Sequence, residues 1–98
     1  MDNLTLRLSM GIERIAVLGA GQMGNGIAQV AACAGYEVVM IDINQNYLDN
    51  GLAAIENSLS RVVKKERMTQ QDADKAISLI STSTEKTSAA DADLVVEA

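Results

Sequence analysis

The chain has 98 residues, a length that allows one domain with a small core. Hydrophobic residues make up 48% of it and aromatic residues only 2%, so the core must be built from aliphatic side chains. The formal net charge of −5 argues against a nucleic-acid partner, because duplex binding depends on basic side chains that neutralise phosphates.

Residues 1–10 show no strong hydrophobic period and end at a second methionine, Met10. We therefore expect a disordered leader here, either an upstream start or an added remnant, and a folded domain over residues 11–98. The apolar run at residues 14–18 predicts the first strand.

The first strand leads directly into a glycine-rich segment, since residues 15–26 have the sequence I-A-V-L-G-A-G-Q-M-G-N-G. Gly19, Gly21 and Gly24 have the G-x-G-x-x-G spacing of a dinucleotide-binding turn. They would permit the tight exit from the strand, the approach of backbone to a pyrophosphate and the close packing of the next helix. This segment has no cationic side chain, so backbone N–H groups and the helix dipole would hold the phosphate. A simple tight connection between strand and helix is the alternative.

Residues 22–34 predict the first helix, and Gly35 lies where a helix end favours a left-handed residue. The apolar positions with helical spacing are Met23, Ile27, Val30, Ala31 and Ala34. The one cysteine, Cys33, cannot form an internal disulfide, and we expect a buried, inert thiol. Together with the lack of a signal peptide and of a bilayer-spanning apolar run, it favours a reducing, cytoplasmic setting and no membrane partner.

A continuous apolar run predicts a second strand over residues 37–42, buried on both faces. Asp42 ends this strand 23 residues after Gly19. A carboxylate there accepts hydrogen bonds from the adenosine ribose and repels a 2′-phosphate. No arginine or lysine occurs between residues 42 and 55, so NAD is favoured over NADP. Asp42 could also cap the next helix, but strand, turn, helix, strand and acid in this order favour dinucleotide binding.

A long helix is predicted over residues 45–65, with Asn44 as its N-cap. Its apolar stripe consists of Leu48, Leu52, Ile55, Leu59 and Val62. The length predicts that the far end projects beyond the sheet.

Four basic residues lie together at that far end: Arg61, Lys64, Lys65 and Arg67. Cations at a helix C-terminus interact favourably with the helix dipole and keep an exposed end solvated. The same cluster could meet a phosphate-bearing ligand, for which lysine acts as a point charge. The charges alone leave both interpretations open.

The remaining third of the chain predicts three further elements and a turn. Thr69 and Asp72 resemble a capping box, which starts a helix that extends to about residue 77. Strands are expected at residues 80–83 and 94–97, with a short helical turn between them. The alternation predicts an α/β fold, a Rossmann-type parallel sheet with flanking helices. We expect its first half plus a long helical insertion, truncated after the fourth strand.

Four segments together resemble the amino-terminal NAD-binding domain of 3-hydroxyacyl-CoA dehydrogenases, and most of all the single-function 3-hydroxybutyryl-CoA dehydrogenases. They are G-A-G-Q-M-G-N-G-I-A-Q, A-G-Y-E-V-V-M-I-D, N-S-L-S-R-V-V-K-K and A-D-L-V-V-E-A. The resemblance covers nearly all of residues 11–98. It implies an oxidoreductase of fatty acid metabolism that transfers hydride between the 3-hydroxyl of an acyl-CoA and NAD.

The resemblance also implies which residues hold the ligands. Those assigned to the NAD pyrophosphate are Gly19, Gly21, Gln22, Met23 and Gly24. Asp42 is assigned to the adenosine ribose and Ala98 to the nicotinamide-ribose side. Ser58 and Lys65 are assigned to the CoA substrate. Seven residues apart on a helix, they lie on nearly the same face, so one ligand can touch both.

The chain departs from the family in one respect that concerns catalysis. The family's acid/base is a histidine paired with a glutamate, both beyond the fourth strand, and this chain contains no histidine. The helical domain that closes over the substrate and forms a homodimer is absent too. We therefore expect a fragment that is inactive alone, with no catalytic residue and no metal site. A stand-alone nucleotide-binding module is the alternative; the middle domain of a multifunctional fatty-acid oxidation protein is a third possibility.

Overall fold

The computed structural model describes residues 11–98, and the leader expected at residues 1–10 lies outside them. In chain order the elements are β1 (Arg14–Leu18), α1 (Gln22–Cys33), β2 (Glu37–Ile41), α2 (Gln45–Lys64), α3 (Gln70–Ser78), β3 (Ile80–Ser83), a 3₁₀ turn (Lys86–Ala89) and β4 (Leu94–Glu97). Every predicted strand and helix is present, and their ends lie within one residue of the expected positions.

The four strands form one parallel sheet in the order β3-β2-β1-β4. In the register, Val17 of β1 lies between Met40 of β2 and Val96 of β4. This order confirms the Rossmann-type fold, because the chain runs outward from β1 to β3 and then returns to the other side of β1. The carboxyl ends of β1, β2 and β4 therefore meet at one edge of the sheet.

The core lies between the helices and one face of this sheet, and it is aliphatic as predicted. Its largest fully buried side chains are Met40, Leu48, Ile55, Leu59 and Val17. Three of these come from the predicted stripe of α2, which confirms the orientation of that helix.

Of the five apolar positions of α1 with helical spacing, Ala31 is buried and Ile27 packs partly buried against the core, but Met23 and Val30 do not. Met23 and Val30 are 70% and 71% exposed. The buried residues of α1 are Gly24, Ala28, Ala31 and Ala32, at the helical spacing of four, three and one. These small residues allow α1 to lie close to the sheet and to α2, whereas the side chains of Met23 and Val30 are turned outward. The expectation that Cys33 is buried is also wrong: it is exposed, although partial desolvation raises the pKa of its thiol.

Polar side chains fix the start of α2 and α3 as the sequence predicts. The Asn44 side chain accepts hydrogen bonds from the N–H groups of Asn46 and Tyr47, at 2.9 and 3.3 Å. Thr69 Oγ1 accepts from the N–H of Asp72 at 3.1 Å. Asn44 is thus the cap of α2, and Asp42 is left for another role.

A carboxylate joins the beginnings of β1 and β4. Asp93 Oδ2 accepts hydrogen bonds from the N–H groups of Glu13 and Arg14, at 2.9 and 3.0 Å. These two donors hold the pKa of Asp93 below its usual value. The link sets β4 beside β1, so that the end of β4 arrives next to the glycine-rich segment.

For two glycines within helices, we predict that replacement by alanine changes the free energy of unfolding in opposite directions. A Cβ on Gly51 would lie 2.8 Å from the Ala20 carbonyl oxygen, whereas a Cβ on Gly26 would meet nothing within 4 Å. We expect Gly26→Ala to raise the free energy of unfolding by about 0.5–1 kcal/mol, because alanine favours a helix over glycine. Gly51→Ala is expected to lower it by about 1–3 kcal/mol through overpacking. Urea unfolding followed by circular dichroism measures both, and equal stabilisation by the two changes would contradict the packing of α2 on residue 20.

Candidate nucleotide-binding site

The glycine turn, residues 19–24, connects the carboxyl end of β1 to α1. Gly19 has φ +108°, a conformation that side-chain-bearing residues rarely adopt. Its N–H donates to the Ile41 carbonyl at 2.7 Å, which holds the start of the turn against the end of β2. The first glycine of the motif therefore makes the tight exit from the strand that the spacing predicts.

The second glycine lies at the start of α1 and leaves free space at the helix N-terminus. Gly21 is the N-cap, is exposed, and a Cβ on it would meet nothing within 4 Å. The Asn25 side chain donates to the Gly21 carbonyl at 2.9 Å. The first N–H groups of a helix, here those of Gln22, Met23 and Gly24, have no acceptor within the helix. The first turn carries no acidic side chain, so these donors and the helix dipole fit an anionic group such as a pyrophosphate.

The third glycine allows α1 to cross the turn at close range. A Cβ on Gly24 would overlap the carbonyl group of Gly19 and would lie 3.7 Å from the Ala98 side chain. Gly24 is buried. The close approach of helix and strand end requires glycine here, as the motif predicts.

Asp42 lies against the same turn. Its Oδ2 accepts from the N–H of Ala20 at 3.0 Å, and its Oδ1 accepts from the N–H of Asn44 at 3.0 Å. The residue is half-buried. A carboxylate has about four lone-pair sites, so these two bonds leave acceptor capacity for ribose hydroxyls. The structure thus places the predicted ribose acid and the predicted pyrophosphate turn in direct contact.

Ala98 closes the other side of the turn. Its N–H donates to the Leu18 carbonyl at 2.9 Å. Its carbonyl oxygen lies 3.0 Å from where a Cβ on Gly19 would be. The backbone after β4 therefore lines the glycine turn on the side opposite Asp42.

An exposed apolar residue that the sequence did not predict as part of the site lies beside Asp42. Ile43 is 83% exposed, and Tyr47, at the start of α2, is 55% exposed. A large, exposed aliphatic side chain next to Asp42 provides an apolar surface of the kind that lines nucleotide-binding sites. The signal that could have revealed it is an isoleucine in the polar segment between β2 and the N-cap of α2, where no core position is available.

The two residues assigned to CoA lie on α2. Ser58 is half-buried and its Oγ accepts from the side-chain amide of Gln29 at 3.0 Å. Lys65 is exposed and is the C-cap of the helix. Their separation of seven residues puts them about 10 Å apart along one helix face. The other three basic residues of the cluster, Arg61, Lys64 and Arg67, are exposed as well.

Within residues 11–98, no group of three or more histidine, cysteine or acidic side chains is arranged to hold a metal ion. Within the same residues, no helix combines the length and the hydropathy needed to cross a bilayer.

Three features together define a Rossmann-type dinucleotide-binding domain. They are the parallel sheet in this strand order, the glycine turn at the start of a helix and the acid that follows the second strand. A family profile described as "3-hydroxyacyl-CoA dehydrogenase, NAD binding domain" matches residues 14–98. The chain belongs to this family and supplies NAD-binding structure, so NAD is its cofactor.

Similar proteins support this membership in sequence and in structure. The 3-hydroxybutyryl-CoA dehydrogenase of Bradyrhizobium diazoefficiens is 45% identical over 86 residues, which cover 88% of this chain and 29% of that protein. The crystal structure of (S)-3-hydroxybutyryl-CoA dehydrogenase PaaH1 from Ralstonia eutropha matches with a TM-score of 0.86 at 41% identity, over 89% of this chain and 31% of that one. FadB2 of Mycobacterium tuberculosis matches with the same TM-score, 0.86, at 39% identity, over 89% and 30%. The chain thus spans less than a third of these relatives.

Proposed function

We propose that this chain is the cofactor-binding part of an NAD-dependent 3-hydroxyacyl-CoA dehydrogenase that acts on 3-hydroxybutyryl-CoA in fatty acid metabolism. The whole enzyme would transfer hydride between the 3-hydroxyl of the acyl-CoA and NAD. The observation that carries this function is the hydrogen bond from Ala20 N–H to Asp42, at 3.0 Å, which joins the ribose acid to the glycine turn. The names of the similar proteins supply the substrate class.

The geometry of the turn supports the NAD contacts that we propose. We assign the pyrophosphate to the backbone of Gly19, Gly21, Gln22, Met23 and Gly24. Asp42 would accept hydrogen bonds from the adenosine ribose, and Ala98 would line the nicotinamide-ribose side. When bound, NAD supplies the hydride acceptor, and this chain's part is to hold and orient it.

We assign the CoA part of the substrate to Ser58 and Lys65. Lys65 supplies a positive charge at the exposed end of α2, and Ser58 supplies a hydroxyl two turns earlier on the same face. A stand-alone nucleotide-binding module, the competing function, would bind NAD but would give these two residues no ligand.

Comparing substitutions of two adjacent lysines distinguishes a specific CoA contact from a helix end that is only solvated. We expect Lys65→Ala to weaken CoA binding by about fivefold to tenfold, because it removes a charge from the face that carries Ser58. Lys64→Ala removes the same charge about 100° away on the helix and is expected to change CoA binding less than about twofold. Isothermal titration of the 98-residue chain with CoA and with NAD measures both. NAD affinity should stay unchanged in each variant, and equal losses of CoA affinity would reject the assignment.

The remaining parts of the proposal concern the whole protein. The 98 residues contain no histidine, so the histidine to which the family resemblance assigns proton transfer would come from outside this sequence. Residues 11–98 would then be part of the NAD-binding domain and inactive alone. The family resemblance adds a homodimer to the proposal. A cytoplasmic location is added because a single, exposed cysteine suits a reducing compartment.

A further inference from the structure

A side-chain hydrogen bond joins α1 to α2 at one of the residues assigned to CoA. Gln29 donates from Nε2 to Ser58 Oγ at 3.0 Å, and both residues are half-buried. The helices come together near Gly51, where a Cβ would lie 3.5 Å from the Asn25 side chain. Because the small residues of both helices permit this approach, Gln29 reaches a serine that is 29 positions away in the sequence.

The direction of this hydrogen bond decides what Ser58 can offer to a ligand. A serine hydroxyl has one proton to donate and two lone pairs that accept. The Gln29 amide occupies one lone pair, and within residues 11–98 this is the hydrogen bond that the structure gives to Ser58 Oγ. The hydroxyl proton therefore points away from Gln29. Without that restraint, a serine in a helix commonly returns its proton to the carbonyl four residues earlier, here that of Ala54.

We propose that Gln29 is a positioning residue for CoA recognition, which makes Ser58 a hydrogen-bond donor toward the ligand. The ligand group that meets Ser58 is then an acceptor, such as a phosphate or amide oxygen of CoA. Gln29 acts through Ser58 and needs no contact with CoA. This role rests on the proposed function, because only that function gives Ser58 a CoA ligand.

Replacing the hydrogen-bond donor at residue 29 by an acceptor tests this role. Gln29→Glu keeps the size of the side chain but replaces the amide donor by a carboxylate, which only accepts. The Ser58 hydroxyl would then donate its proton to the carboxylate, and the two helices would stay joined. We expect CoA affinity to fall about tenfold, while NAD affinity and the urea midpoint of unfolding change little. A residue that merely joins the helices would leave CoA affinity unchanged, because the hydrogen bond is kept.

Two matched controls separate the effect of the reversed hydrogen bond from simple charge repulsion between the new carboxylate and CoA. Asn57→Asp adds the same charge at an exposed position next to Ser58, and CoA affinity should change less than about twofold. In a Ser58→Ala background, Gln29→Glu should also change CoA affinity less than about twofold, since the hydroxyl through which Gln29 acts is gone.

The outcomes distinguish failure of the inference from failure of the proposed function. Unchanged CoA affinity in Gln29→Glu, or an equal loss with and without the Ser58 hydroxyl, would overturn the positioning role alone. Unchanged CoA affinity in Ser58→Ala by itself would overturn the CoA assignment, and the role of Gln29 with it. A loss confined to the chain with Ser58 intact supports both. Isothermal titration with CoA and NAD provides all of these readouts.

Discussion

Replacing Gly24 by alanine is expected to destabilise the fold by about 3 kcal/mol and to abolish measurable NAD binding. The new Cβ would overlap the carbonyl oxygen of Gly19, and the Ala98 side chain lies behind it. The clash is between the Cβ, which has no rotamer freedom, and a backbone carbonyl, so no side chain can rotate away to relieve it. α1 would have to move from the end of β1, which opens the glycine turn. Urea unfolding and titration with NAD measure the two effects.

Gly21→Ala is the matched control for this change. Gly21 has φ −68°, which alanine adopts readily, and a Cβ there would meet nothing within 4 Å. Its free energy of unfolding should change by no more than about 1 kcal/mol, the cost of alanine at an N-cap. NAD affinity should still fall, because the methyl group occupies space that the pyrophosphate needs. Equal stability of Gly24→Ala and the wild type would show that α1 does not cross the turn at this distance.

Most of the fold could be predicted because its signals are local. The apolar runs of β1 and β2, the stripe of α2 and the capping side chains of Asn44 and Thr69 each specify an element within a few residues. The glycine turn is also local, since its three glycines and the strand before it are contiguous. Asp42 could be placed at the turn because the carboxyl ends of neighbouring parallel strands meet at one edge of the sheet.

The orientation of α1 could not be predicted from apolar spacing alone. Two patterns with helical spacing coexist in this helix, one of large side chains that includes Met23 and Val30, and one of glycine and alanine. The structure buries the small residues, because the distance of closest approach between α1, the sheet and α2 decides which face packs. That distance depends on how α1, α2 and the sheet cross one another in three dimensions. The hydrogen bond between Gln29 and Ser58 depends on the same crossing, so no sequence pattern reveals it.

Removal of the Asp42 carboxylate is expected to weaken NAD binding by about 1–3 kcal/mol and to narrow the difference in affinity between NAD and NADP. Asp42→Ala leaves the ribose hydroxyls without their acceptor and removes the charge that repels a 2′-phosphate. The structure adds a second effect, because the N–H groups of Ala20 and Asn44 both lose an acceptor. We therefore also expect a loss of stability of about 1–2 kcal/mol.

Asp42→Asn separates these two roles. Asparagine keeps the shape of the side chain but only one acceptor oxygen, so it can accept from one of the two N–H groups, and only part of the stability should return. It carries no charge to repel the 2′-phosphate. The NADP dissociation constant divided by the NAD dissociation constant should therefore fall toward one in both variants, whatever their stability. Asp49→Asn removes a charge from an exposed position on α2 and should leave the ratio unchanged. A stability loss in Asp42→Ala with an unchanged ratio would make Asp42 a structural support of the turn and would refute its role at the ribose.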